Sequence, residues 1–493
     1  MHMKNSVIVT FLIYLCVNIT FAQGGKTSLY FDGSNDIVWC GNDPTLNIQD
    51  AITLEAWIKS DGANYSWARI LDKFRFHSQQ GYNLVRRDGT GSIRFDSFMT
   101  DNAQHYSDGT TPVFDDKWHH VATTFNGTEF TVYVDGNIEN REIIDTPQKI
   151  NLCSDDFAIG NGFDGATWFP YRGQIEEARV WDEVVDSTMI RYWMYRDITT
   201  QHPYYNHLMA YWKFNEGEGS VTFDSSAQTN NGVLTNMDTM TVWLNSSVPI
   251  ATEITSQLYD LSAVWPGSDS AWSSILSIKG NTFNNDASVL FGHDNNTLEW
   301  IDSDVPENRN ILNRLNRVWR VEVYDTIKCN LMFDLSELTY GNEDNLAILF
   351  DSDGIFDNAD TLNGFFNSSM STFIVPDTTV QHGYYYTIGS RENILSVERL
   401  SNSNIPHTLQ LYQNYPNPFN PSTIIEFTLP KSEFVELKVF NILGKEVSTL
   451  VSRKLNSGNH RYTFDGKNLA SGVYFYRLVA GDFREVKKMI IMQ

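Results

Sequence analysis

Four carboxylates surround a glycine in the stretch Asp351-Ser352-Asp353-Gly354-Ile355-Phe356-Asp357-Asn358-Ala359-Asp360. Hard oxygen ligands on a tight turn are what a calcium ion requires, so Asp351, Asp353, Asp357 and Asp360 are candidate ligands. Leu362 stands where a calcium loop carries its final acid, and the same residues also read as Asx turns closing a hairpin. A second chemistry lies in aromatic residues within turn-rich stretches: Tyr65 and Trp67 in one, Trp168, Phe169 and Tyr171 in another. A sugar stacks its apolar face on such rings while its hydroxyls demand directed polar partners, which makes these five the candidate glycan contacts.

Catalytic arrangements are harder to find. Glycoside hydrolysis needs two carboxylates across the scissile bond, and Glu176, Glu177, Asp182 and Glu183 come nearest. Strand spacing puts Glu177 and Asp182 on opposite faces. His119-His120 falls in an apolar strand and His202 with His207 lacks a third ligand, so both pairs read as structural. No nucleophile elbow, zinc helix motif or phosphate loop occurs. The expectation is a binding protein and not an enzyme, with a structural surface-layer component that has no glycan site as the alternative and a glycoside hydrolase as a more remote one.

The elements that must position these residues are strands. Aromatics make up 13% of the chain and charged residues 19%, with turn-formers between short apolar runs. Period-two alternation marks strands at Ser28–Trp39, Ile52–Ile58, Asn83–Arg86, Ser92–Phe98 and His120–Phe125, and Asp135-Gly136 predicts a hairpin joining Phe130–Val134 to Ile138–Ile143. Met189, Ile190, Trp193 and Met194 have helical spacing after a cap at Asp186 or Ser187. Further strands recur between residues 250 and 398. With 493 residues, about three domains are expected, all β.

The net charge of −24 divides unevenly: residues 1 to 400 carry −28 and residues 401 to 493 carry +4. So acidic a body repels phosphate backbones, which excludes nucleic acid and suits divalent cations or neutral glycans. Lys4, the apolar run Val7–Leu15 and Thr20-Phe21-Ala22 read as a signal peptide over 1–22, and no later segment is apolar enough to span a bilayer. Its removal leaves Cys40, Cys153 and Cys329. An oxidising destination permits a Cys40–Cys153 disulfide within one domain, with buried free thiols as the alternative.

Six pieces in order, FDGSND at 31–36, LEAWIKS at 54–60, KWHHVATTF at 117–125, VYVDG at 132–136, AIGNG at 158–162 and RGQIEEARVWDE at 172–183, together resemble a LamG-like, concanavalin A-type jelly-roll domain. LMAYWKFNEGEGSVTFDSSAQTNNGVL at 208–234 resembles a returning segment of the same family. The resemblance implies glycan or extracellular protein partners, and it implies a further calcium position near Asp32, Asn35 and Asp224. It also places Trp57, Trp118 and Trp181 in the core. LYQNYPNPFNPSTIIEFTLP at 411–430, VFNILGKEV at 439–447, LASGVYFYRL at 469–478 and the basic ending resemble the type A C-terminal sorting domain of the type IX secretion system. That likeness implies a small immunoglobulin-like sandwich, passage through the type IX secretion machinery and a place at the outer cell surface. The expected organisation is a signal peptide (1–22), a LamG-like jelly roll (23–247), a β-sandwich of unknown role (248–398), a linker (399–408) and the sorting domain (409–493).

Overall fold

The computed structural model describes residues 27–394 and 409–491, except 61, 63–64, 165–166, 283–286, 337 and scattered positions of the last domain; the expected signal peptide and linker lie outside the described residues. Two eight-stranded antiparallel sheets form the first domain. One is ordered Asn137–Ile143, Glu129–Val134, Trp118–Phe125, Ile52–Lys59, Arg172–Trp181, Thr27–Asp32 and Trp243–Asn245, with Leu208–Trp212 also paired to Arg172–Trp181. The other runs Val221–Thr222, Gly232–Thr235, Ile37–Trp39, Ala158–Ile159, Arg69–Arg75, Gln80–Arg86, Ile93–Phe98 and Gln104–Asp108. Alternation sends Leu54, Ile58 and Val121 of the first sheet and Leu71, Leu84 and Phe95 of the second into one shared core. This is the expected concanavalin A-like jelly roll. At its hairpin, Asp135 and Gly136 both take positive φ, as the tight turn predicted there demands.

Every residue of Ile52–Lys59 and of Trp118–Phe125 is buried, because the far face of the first sheet is covered too. The helix Ser187–Trp193 covers part of it, its N-terminus capped by Asp186, whose Oδ1 accepts from the Thr188 and Met189 amides at 2.8 and 3.0 Å. The rest lies against the second domain. Trp57 and Trp118 are buried, but not inside the jelly roll: they pack with Trp265, Ile250 and Leu290. The Trp57 ring meets Trp265 edge-on at 5.6 Å, and Trp265 Nε1 donates to the Trp118 carbonyl at 2.9 Å.

The second domain is also a sandwich. Its larger sheet holds Tyr259–Val264, Ser288–His293, Trp319–Tyr324, Tyr385–Ser390 and Leu346–Asp351 among its strands, and its smaller one centres on Leu276–Thr282, Lys328–Asp334 and Thr372–Thr379. Trp319, Phe333 and Ile348 lie in the core between them. The last domain pairs a three-stranded sheet with a four-stranded one around Phe427, Leu437 and Tyr476.

The expected disulfide is corrected: Cys40, Cys153 and Cys329 are all free and buried. Cys40 lies against Gly232 and Cys153 against Gly81, on strands well apart in the same sheet. Strand spacings of about 4.8 Å add up to more than the roughly 7 Å Cα separation a disulfide tolerates.

Two outcomes follow from this packing. Alkylation without reductant is expected to label Cys40, Cys153 and Cys329 in denaturant and to spare them in the native protein, as read by mass spectrometry; a Cys40–Cys153 cross-link in the spectrum would refute the free-thiol arrangement. Trp265→Ala is expected to cost about 3–5 kcal/mol in denaturant unfolding by emptying the inter-domain contact.

Candidate functional site

The register of the second sheet sets Trp39, Ala158, Asp72, Asn83, Asp96 and Tyr106 in one row across its strands. Since Leu71, Leu84 and Phe95 point into the core, their neighbours Asp72, Asn83 and Asp96 project from the opposite face. On that face lies a recess of about 430 Å³, floored by Arg69, Phe74, Arg94, Asp96 and Gln104 and rimmed by Trp67, Phe76, His77, Asp164, Thr167 and Phe169.

Arg69 is 5% exposed, and its guanidinium lies between two rings, 5.2 Å from the centroid of Phe74 and 4.8 Å from that of Phe169. Its Nε stands 3.6 Å from Asp72 Oδ1 and makes no hydrogen bond. Arg94 lies over Trp67 and Tyr106, at 4.8 and 3.8 Å from their centroids, and its Nη2 donates to Asp108 Oδ2 at 2.8 Å. Asp96 accepts one hydrogen bond, from Gln104 Nε2 to Oδ1 at 3.0 Å; its Oδ2 accepts none among the described residues. Burial pushes the Asp96 carboxyl up to about 6, against the opposing pull of Arg94 and Arg69. Asp72 is raised as well, again by burial. Gly162 covers Asp72 so closely that a Cβ there would come within 2.4 Å of its Oδ2.

The rim is a short hairpin in which Phe163–Asp164 pairs with Thr167–Trp168. It is tied to the sheet by Arg69 N donating to the Phe169 carbonyl at 2.9 Å. The hairpin separates the five candidate aromatics. Trp67 and Phe169 line the recess. Trp168, 47% exposed, turns its ring to Phe163 at 4.7 Å and Trp39 at 6.4 Å, outside the recess. Tyr65 is 60% exposed and also stands outside. Tyr171 is a core residue, its hydroxyl within 3.2 Å of the Lys59 and Gln174 carbonyls. Sequence reasoning missed Arg69, Arg94, Asp96 and Gln104, whose only signal was a polar residue at the outward positions of half-apolar strands.

The calcium expectations meet a different arrangement. Asp351 Oδ1 accepts from the Asp353 amide and Asp353 Oδ1 from the Ile355 amide, each at 2.8 Å, as Asx turns do. Asp360 is drawn away to Arg309, and Asp357 sits in the turn Phe356–Asn358. Asp32 Oδ1 accepts from Ser34 N at 2.7 Å, and the Asn35 carbonyl accepts from Asn236 Nδ2 at 3.0 Å. Both Asp224 oxygens are taken, by the amides of Tyr211, Ser226 and Asn230 and the Ser226 hydroxyl. Among the described residues no three His, Cys, Asp or Glu side chains converge as a metal site.

The remaining titratable candidates are tied into structure. Glu177 takes positive φ at a bulge and bonds Arg179 Nη2 at 2.7 Å and the Tyr211 hydroxyl. Burial raises its carboxyl, whereas for Glu55 the burial is outweighed by Arg179, His120 and Trp181, which hold it down at about 2. Asp182 pairs with His207 at 2.9 Å. Burial draws His119 down, but Asp115 and Asp135 more than compensate and raise it to about 9. His202, pulled to about 4 by burial, packs between Trp181 and Trp193.

Comparison with known proteins fits this anatomy. Residues 32–191 match the model of the concanavalin A-like lectin/glucanases superfamily, 263–383 that of a domain of unknown function, and 413–492 that of a secretion system C-terminal sorting domain. Similar solved structures include a Bacteroides ovatus protein described as carbohydrate-binding, at 20% identity and TM-score 0.36, covering 46% of this chain and 61% of that one. A heptameric pentraxin from Limulus polyphemus is 15% identical with TM-score 0.27, covering 34% and 81% of the two chains. A sialidase carbohydrate-binding module from Ruminococcus gnavus, bound to sialyllactose, is 14% identical with TM-score 0.28, covering 33% and 94%. A search of curated protein sequences finds no match. No helix among the described residues is long and apolar enough to cross a membrane. The type IX sorting signal indicates export, to the medium or to the outer cell surface. The chain carries a concanavalin A-like lectin/glucanase-superfamily domain, built as a jelly roll, and ends in a secretion-system sorting domain.

Proposed function

We propose that this exported protein binds carbohydrate through the recess on the outer face of its jelly roll. The observation that carries the reading is the Asp96 carboxylate, whose Oδ2 accepts no hydrogen bond among the described residues, set in the recess beside Gln104 and the half-buried rings of Trp67 and Phe169. A buried acceptor left unpaired costs about 1–3 kcal/mol, a cost that a ligand hydroxyl recovers. Rings beside directed polar groups are what a sugar ring needs, since it has an apolar face and a hydroxylated edge. The superfamily of the domain, whose members include lectins, supports the same conclusion.

Binding without turnover is part of the proposal. Glu55 and Glu177, which share Arg179, are sealed from solvent, so that pair offers no access to a glycosidic bond. The acids of the recess, Asp96 and Asp164, stand beside a site already divided between stacking and hydrogen-bonding groups.

The test is a glycan array probed with the full exported chain, with and without a chelator. Saturable binding is expected, unchanged by the chelator, about tenfold weaker in Trp67→Ala and Phe169→Ala, and nearly unaffected in Trp168→Ala. Absence of binding to every glycan would refute the proposal, and loss confined to Trp168→Ala would move the site to the other side of the hairpin.

A further inference from the structure

We infer that the recess selects neutral, polyhydroxylated saccharides against anionic ones, and that Asp96 is the residue that accepts the ligand hydroxyl. This rests on the carbohydrate-binding reading above and narrows it to a chemical class.

Asp96 stands among charged groups. Arg94, on the same strand, reaches Asp96 Oδ1 at 3.9 Å but is engaged by Asp108 on the next strand. Asp108 also holds Arg87 at 3.2 Å. Arg69 lies against Asp72, which in turn is bonded by Arg75 at 3.2 Å and Asn83 at 3.4 Å. From the rim come Asp164, whose Oδ1 accepts from the His77 amide at 3.4 Å, and the His77 ring. Each arginine that lines the recess therefore already faces a carboxylate, Arg69 that of Asp72 and Arg94 those of Asp108 and Asp96, which leaves no unpaired lining cation for an anionic ligand.

A uronate, sialate or sulfate placed here would have to win an arginine from Asp72 or Asp108 and would sit beside Asp96 and Asp164. Like charges at such range repel strongly where water is excluded. The −28 carried by residues 1 to 400 opposes its approach as well. A neutral sugar meets none of these costs. It finds an acceptor at Asp96 Oδ2, with the half-buried rings of Trp67 and Phe169 for its apolar face.

Because a protonated carboxyl is a poorer acceptor than an ionised one, acid should weaken the complex. Asp96 is raised to about 6, so its ionised fraction falls about tenfold by pH 5, and affinity for a neutral ligand should fall by the same factor. Gln104, which bonds the carboxylate, favours the ionised form, and removing it should shift this loss to higher pH.

The experiment is calorimetry of the full exported chain against neutral gluco-, manno-, xylo- and arabino-oligosaccharides and against oligogalacturonate and sialyllactose, from pH 5 to 7.5. The expected result is binding of neutral ligands only, about tenfold weaker at pH 5. In Asp96→Asn the affinity at pH 7.5 drops about tenfold and the pH dependence disappears. In Gln104→Leu the pH midpoint moves upward. Folding of Asp96→Asn is checked by its melting temperature. A carboxyl raised in the folded state lowers stability as pH climbs from about 4 to about 6, so the variant should melt above the parent at pH 7.5 and level with it at pH 4. Preference for an anionic saccharide, or unchanged affinity and pH dependence in Asp96→Asn, would overturn the inference while leaving carbohydrate binding intact. Failure to bind any saccharide would overturn the binding reading, and this inference with it.

Discussion

Arg179 is a guanidinium entirely removed from water, and the arrangement of the jelly roll depends on how it is satisfied. It bonds Glu177 at 2.7 Å, stands 3.5 Å from Glu55, and donates to the carbonyls of Trp193 and Arg196 at 3.3 and 2.9 Å. One side chain thus joins two strands to the end of the helix Ser187–Trp193 on the first sheet, where a cation is favoured by the exposed carbonyls. Taking away one partner of such a group typically costs about 3–5 kcal/mol, because a buried charge is left unmatched. Arg196 extends the connection, donating to the Ser256 and Leu258 carbonyls at 3.4 and 3.1 Å at the start of the second domain.

This anchoring divides the two sheets. The first has both faces buried, one against the core and one beneath the helix and the second domain. The second sheet carries on its outer face a row of buried polar groups, Asp72, Asn83 and Asp96, bonded to neighbouring side chains. The carboxylates record the difference. Glu55, surrounded by Arg179, His120 and Trp181, is held strongly ionised, whereas Asp72 and Asp96 have arginines nearby but remain raised because burial outweighs them. Perturbed carboxylates belong to structural ion pairs as well as to binding sites, and of these three only Asp96 lines the recess.

Much of the fold could be read from the sequence because it is written locally. Period two, the Asp135-Gly136 turn and the Asp186 cap each report on a few adjacent residues, and each reappears in the structure. The burial of Trp57 and Trp118 could also be read, but not its cause, since alternation shows that a face is covered without showing what covers it. The site was harder. Trp67 and Phe169 were found by residue type, but Trp168 and Tyr171 have the same type one and two positions away from Phe169 and differ only in which side of a hairpin their rings reach. Arg94 and Asp96 look like ordinary outward strand positions until the register sets them beside Gln104 and Arg69. Asx turns and calcium loops use the same residues at the same spacing, and Asp351 and Asp224 accept the backbone amides two residues on, as Asx turns do.

The opposite placement of the two functional faces has a consequence for how such a domain can be assembled. The face carrying Trp57 and Trp118 is committed to the second domain, and the face carrying Asp96 meets the domain's own hairpin of Phe163–Asp164 and Thr167–Trp168. Neighbouring modules can therefore be exchanged or multiplied behind the jelly roll without reshaping the surface it presents, and the rim hairpin can vary without loosening the joint behind it. Docking and recognition are separate inheritances here, free to change at different rates.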